Sequence, residues 1–370
     1  MSKKVKSSKE INKNIRFNYF EAVLIVDEDI MKKVTRTKEA IPRIKALGQK
    51  KYTERQNDLL ENEDEINDQY KILNSYVVTK WKMEPMIEYI FNKKMDTTAI
   101  DIGGIIIEIE PGSITTLNSD IISFQLTKMR DNMLPAKKKV GESKKDIILT
   151  DDEYIGDFVS ILYDSKYNVL MVQSNSYGLS VNQIQVYFTM LRRKYLELAN
   201  LSGTINELSC ELRVLIDPKK AEKVMDAKYF RKVRIKGSDF MLDSMENNKS
   251  KSIIGNVRRL VGKNKGINFD ISISLNSTDK TDTLDYDDVK ELVDEYNRLN
   301  EVEKKPIVEI TKRDNEDSSI ELVNLLYPRL NSIINFKIMA RTSIGNDFLF
   351  DSMKETYIKN RSVISRITTI

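Results

Sequence analysis

Residues 157–188 read DFVSILYDSKYNVLMVQSNSYGLSVNQIQVYF, and this stretch carries both halves of the fold class. Apolar residues alternate through Asp157–Tyr163 and again through Asn168–Ser174, on either side of Asp164-Ser165-Lys166, a turn sequence. Two half-buried strands joined by a short polar turn make an antiparallel hairpin. A helix start follows. Leu179 is a hydrophobic staple, Ser180 an N-cap, Gln183 closes a capping box, and Ile184 receives the staple. The helix then buries Tyr187, Phe188, Leu191 and Leu198, while Arg192, Arg193 and Lys194 fall partly on the other side.

The same reading extends outward in both directions. Toward the N-terminus, Ile15–Val26 is a first strand, preceded by a flexible basic tail over 1–14. Residues 31–95 form a helical insertion that holds the only tryptophan, Trp81, as a core anchor. Thr98–Glu110 returns to a strand pattern in which Gly103-Gly104 reads as a bulge, and Pro111-Gly112 ends it. Ile121–Met129 is another strand, and Asn132–Lys145 a basic surface loop.

Toward the C-terminus, strands are expected at Glu207–Ile216, Phe230–Lys236, Ile267–Leu275, Ile307–Arg313 and Ile333–Ala340. Helices alternate with them at Pro218–Ala227, within Asp239–Val261, after the Asp285 cap, and over Asn346–Ile364. The helix after Asp285 should bury Val289, Leu292, Val293 and Tyr296. Ser319–Leu330 stays open between strand and helix because Pro328 interrupts either. The expected class is α+β. A largely antiparallel N-terminal sheet with the helical insertion fills 15–202, and a mixed sheet packed with helices fills 203–370, Gly203 marking the boundary.

Composition narrows the chemistry by elimination. The 370 residues contain no histidine and one cysteine, Cys210. A Ser-His-Asp triad, a Cys-His dyad, an HExxH site, a Cys/His zinc site and an internal disulfide are all excluded. Neither GxxxxGK[ST] nor GxGxxG occurs, so no nucleotide cofactor is expected, and Cys210 inside LSCELRVLI reads as an inert buried thiol. Three carboxylate sets were weighed as magnesium sites of a nuclease: Asp101 with Glu108 and Glu110; Asp151, Asp152 and Glu153 with Asp157; Glu309 with Lys312 and Asp314. The first lacks a lysine within the strand, the second has a cheaper role as a solvated turn, and in the third strand alternation sends Lys312 to the face opposite Glu309. No catalytic residue and no metal ligand is assigned. The lysine-rich start has no apolar segment behind it, and no apolar run approaches the length of a membrane span. With one free thiol, the reading is a cytoplasmic protein with no membrane partner.

The formal net charge is only +4, but its distribution is uneven. Segment 128–145 is basic through Lys128, Arg130, Lys137, Lys138, Lys139, Lys144 and Lys145, whereas Asp279–Glu303 is acidic. Arg231, Lys232, Arg234 and Lys236 flank or occupy one strand, with Arg234 and Lys236 on one face of it. Arg258, Arg259, Lys263 and Lys265 close the next helix. Cations on a rigid surface neutralise phosphates and release counterions, so Arg231, Arg234, Lys236, Arg258, Arg259, Lys263 and Lys265 are the candidate nucleic-acid contacts. The competing expectation pairs them with the acidic helix Asp285–Glu295.

DDEYIGDFVSILYDSKYNVLMVQSNSYGLSVNQIQVYF (Asp151–Phe188) resembles the signature of an uncharacterised bacterial domain-of-unknown-function family carried on prophages and mobile elements. AKYFRKVRIKG (Ala227–Gly237), INFDISISLNSTDKTDTLDYDDVKELVDE and TSIGNDFLFDSMKETYIKNR resemble it as well. That family brings no catalytic residues. More remotely, the layout is similar to the DNA-binding subunit of the Kiwa phage-defence system and to Rex-type phage-exclusion proteins, which implies nonspecific nucleic-acid binding and a homodimer. The expected function is therefore a non-enzymatic nucleic-acid-binding component of an antiviral or mobile-element module, with DNA ahead of RNA and room for a partner protein from the same operon. The alternatives are a protein-interaction or sensor subunit, and then the magnesium-dependent nuclease.

Overall fold

The computed structural model describes residues 10–46, 53–132, 134–201, 208–217, 222–239, 253–261, 266–276, 279–298, 305–339 and 344–368, with residues 219 and 241. In chain order the elements are β1 (Glu10–Val26), α1 (Glu28–Ala46), α2 (Glu54–Glu61), α3 (Glu63–Asn74), β2 (Thr79–Lys80) and α4 (Glu84–Phe91). Then come β3 (Ile100–Asp101), β4 (Ile106–Ile109), β5 (Thr115–Asn118), β6 (Ile121–Arg130), β7 (Ile155–Asp164), β8 (Val169–Gln173) and α5 (Val181–Leu198). The remainder is β9 (Leu208–Val214), a 3₁₀ turn over Lys223–Asp226, β10 (Tyr229–Ser238), α6 (Ile253–Val261), β11 (Asn268–Ser274), α7 (Tyr286–Arg298), β12 (Ile307–Arg313), β13 (Glu321–Asn324), β14 (Asn331–Met339) and α8 (Asn346–Thr368). The class is α+β with antiparallel sheets, as the period-two and period-3.6 patterns require.

These elements form two compact units whose boundaries differ from the single break expected at Gly203, which lies outside the described residues. One unit comprises 19–213 with 341–360, the other 1–18 with 214–340 and 361–370. The described part of the presumed tail, 10–14, is strand: β1 pairs β14 antiparallel from Glu10↔Met339 to Asn18↔Asn331. Composition could not show this, because the partner strand is more than three hundred residues away in the chain, as in the Asn335 amide that donates to Asn14 Oδ1 at 2.7 Å.

In the first unit the strands run β1-β8-β7-β6-β4-β3, with β2 and β9 also on β1 and β5 on β6. The quoted hairpin is β7–β8, paired from Asp164↔Val169 to Ile161↔Val172. Asp164 holds its turn by accepting from the backbone N–H of Lys166 at 2.9 Å. The capping box at Ser180 is formed, with Leu179 and Ile184 both buried. Trp81 is a core anchor, edge-on to Phe188 with centroids 6.0 Å apart. Each large side chain removed from water here contributes about 1.5–3 kcal/mol. The face of α5 differs at its end. Leu198 is exposed and Leu196 buried, and Arg192 is buried too, its guanidinium pKa pulled down by desolvation. Gly103-Gly104 is not a bulge. Both have positive φ, at 63° and 83°, and they form the two-residue turn between β3 and β4, closed by Ile102 N–H donating to Ile105 O.

In the second unit a four-stranded sheet, β11-β10-β12-β13, is antiparallel throughout, which corrects the expected mixed sheet. Through α6 the chain returns to an antiparallel neighbour, whereas α7 carries it from β11 across β10 to β12, which runs parallel to β11 without pairing with it. Val233, Ile235, Val308 and Ile310 face one way and pack with Val257 of α6 and Val289, Leu292, Val293 and Tyr296 of α7. Asp285 caps α7 by accepting from the N–H groups of Asp287 and Asp288. Ser319–Leu330 resolves as β13 followed by a turn held by Asn324.

Candidate nucleic-acid interface

Alternation along β10 sends Val233 and Ile235 into the helix-covered face, so Lys232, Arg234 and Lys236 stand on the open face of the four-stranded sheet. There they meet carboxylates. The Arg234 guanidinium makes two hydrogen bonds to Asp270 of β11, at 2.7 and 2.5 Å, and the Lys236 ammonium is 3.3 Å from Glu309 of β12. Arg234 lies directly opposite Ser272 and Glu309, and Lys236 opposite Asp270 and Ile307, so each cation reaches diagonally to its acid. The bidentate bond from Arg234 holds the Asp270 carboxyl below the usual range.

Arg231 is occupied differently, donating to the backbone carbonyls of Asp279 and Asp282 at 2.5 and 2.9 Å. The acidic helix expected as the counter-charge, Asp285–Glu295, is therefore not the acceptor in any of these three contacts. Arg258 and Arg259 stand on α6, in the helix layer covering the other face of that sheet, and Arg259 donates to Asn256 Oδ1. The strand cations thus stand on the open face, and the helix cations belong to the layer over the other face. Lys263 and Lys265 lie outside the described residues.

The carboxylate sets are similarly engaged. Asp101 accepts from Gly104 N–H at 2.7 Å and holds the β3–β4 turn. Asp157 pairs with Arg130 at 2.9 Å, while Asp152 and Glu153 bond to Thr150. Lys312 is on the buried face of β12, opposite to Glu309, with Asp314 and Glu321. Among the described residues no group of three or more potential ligands surrounds a metal-sized space. Cys210 is buried, and burial pushes its thiol pKa far up.

A better-exposed cationic surface lies in the first unit, on the basic surface loop expected over Asn132–Lys145. Residues 137–145 (KKKVGESKK) fold back on themselves through a reciprocal pair of hydrogen bonds between Lys137 and Lys145, both 2.8 Å, with Gly141 at φ 83° in the turn. Every residue of this hairpin is exposed. Five lysines share it with a single acid, Glu142, which lies 3.3 Å from Lys139. Among the described residues, no carboxylate is within ion-pair distance of Lys137, Lys138, Lys144 or Lys145. The lysine run was visible in the sequence. The hairpin that gathers its two halves was not, because a single bridge between lysines leaves no apolar pattern.

No helix among the described residues is long and apolar enough to cross a membrane. No curated protein matches the chain. A family model described as a family of unknown function, DUF6731, matches residues 79–366, from β2 to the last turns of α8. With that match spanning most of its length, the chain belongs to the DUF6731 family.

Proposed function

We propose that the chain is a non-enzymatic nucleic-acid-binding component of a phage-defence or mobile-element module, and that the hairpin Lys137–Lys145 is its phosphate-binding surface. The observation that carries this reading is the hairpin's charge: five lysines against one glutamate, four of them without a carboxylate partner among the described residues. An ammonium already neutralised by a carboxylate gains little from a phosphate. This is why the hairpin outranks Arg234 and Lys236. A free ammonium releases a condensed counterion for each phosphate it meets. The resemblance of Asp151–Phe188 to a prophage-borne family favours the defence setting, the remoter likeness of the layout to the Kiwa DNA-binding subunit and Rex-type proteins favours a symmetric homodimer, and the single free thiol favours a cytoplasmic location. A strictly monomeric mass by light scattering at micromolar concentration would remove the dimer.

The test is a titration of labelled duplexes of unrelated sequence across salt, with an RNA duplex alongside. Expected is binding of similar strength to all DNA sequences, weakening with a log–log salt slope of up to about −3.6 for the four unpaired lysines. A quadruple alanine variant at Arg234, Lys236, Arg258 and Arg259 should bind nearly as the parent does. Absence of binding at low salt would leave the protein-interaction reading in its place.

A further inference from the structure

The C-terminal end of α4 and the turn after β4 enclose a cavity of about 470 Å³, inside the range of about 300–1,000 Å³ typical of small-molecule sites. Its lining is mixed in character. Ile90, Phe91, Met95 and Ile114 give it apolar surface, and Phe91 leaves 59% of its surface exposed. The lining also holds Glu108 and Glu110, which are two residues apart and so project from one face of the chain. The Thr127 hydroxyl donates to Glu110 Oε2 at 2.5 Å. Among the described residues no cation is within ion-pair distance of either glutamate. Asp96 and Lys93 also line the space and offset one another in charge, while Lys194 at its rim is held by the Thr97 carbonyl at 2.7 Å.

Two half-buried carboxylates beside an apolar wall repel each other, and burial together with Glu110 raises the Glu108 pKa. An anion would add to that repulsion, and a neutral guest would leave it in place. A bare divalent ion would find too few oxygen ligands, since among the described residues no three potential metal-ligating side chains come together. We propose that this cavity binds an organic cation, an amine, amidine or guanidine with an apolar body, its charge at Glu108 and Glu110 and its body against Ile90, Phe91 and Ile114.

Benzamidinium is a suitable probe, with benzamide as its neutral isostere, benzoate as the anion and magnesium as the bare ion, each titrated calorimetrically into the full chain. Benzamidinium should bind at about millimolar strength, as expected for so small a ligand, and neither benzamide, benzoate nor magnesium should saturate. Glu108→Gln should weaken benzamidinium by about tenfold or more, a loss typical of a charge-assisted contact, with an unchanged melting transition. If Glu108→Gln fails to fold, Phe91→Ala, which alters an exposed ring, should give the weakening through the apolar wall. Equal binding of benzamide, displacement by magnesium, unaltered affinity in a folded Glu108→Gln variant or in Phe91→Ala, or no benzamidinium binding at all would overturn the assignment.

Discussion

Replacing Tyr163 with phenylalanine deletes one oxygen from a site that water does not reach, since Tyr163 and Met83 are both 0% exposed. That oxygen accepts from the Met83 backbone N–H at 3.1 Å, and its single proton is shared between Glu84 Oε2 at 2.8 Å and Asn168 Oδ1 at 3.0 Å. Asn168 in turn donates to the Ala22 carbonyl at 2.6 Å, so one phenol links β7, the β7–β8 turn, the start of α4 and β1. The substitution leaves the shape of the core unchanged. Its cost comes from polar groups left without partners. Glu84 is half-buried and recovers through water, but the Met83 N–H and the Asn168 oxygen do not. At about 1–3 kcal/mol for each buried orphan, the loss is about 2–6 kcal/mol. The only tryptophan, Trp81, is buried two residues before Met83 and reports unfolding of this unit by fluorescence. With an m value of about 2–3 kcal/mol/M, the urea midpoint should fall by about 1–2 M at unchanged m. A shift below about 0.2 M, roughly 0.5 kcal/mol, would refute the network as described.

Gly104→Ala should cost about 1–2 kcal/mol, because φ is +83° and nothing lies within 4 Å of the added carbon, leaving conformation as the sole penalty; an unchanged Trp81 midpoint would reject the turn assignment. Burial holds Cys210, Tyr163, Tyr187 and Tyr296 protonated, each with its pKa raised above the unfolded value. A raised acid contributes stability that is complete below the unfolded pKa and is lost as pH climbs toward the folded one, so stability should start to fall above about pH 8.5, where an unfolded thiol ionises. Cys210→Ala should flatten that first part of the decline in midpoints measured from pH 8 upward, and Ellman's reagent should react with the thiol only after unfolding.

How much of this was legible depends on the range of the interaction. Ser180 with Gln183, and Asp285 with its two following amides, are encoded within a few residues, and both caps form where the sequence places them. The β7–β8 hairpin and the buried face of α7 are equally local. The pairing of β1 with β14 is not, and the two-unit division depends on it. Leu198 and Arg192 show the limit of periodicity on α5, whose surroundings decide which residues at its end and middle are covered. For the candidate site, alternation did place Arg234 and Lys236 together. That Asp270 and Glu309 would meet them required the register of three strands. The lysines of 137–145 were counted in the sequence, yet only the folded-back hairpin separates them from neutralising carboxylates.

The most direct measurement of the central claim is the difference in salt slope between the parent chain and a variant with Lys137, Lys138, Lys144 and Lys145 replaced by alanine, on one DNA duplex. All four side chains are exposed, so the fold should change by no more than about 0.5 kcal/mol. Each lost phosphate contact removes about 0.9 from the slope, and the account predicts a flattening of up to about 3.6 with affinity falling alike on every sequence. An unchanged slope, in a variant whose melting transition matches the parent's, would contradict it.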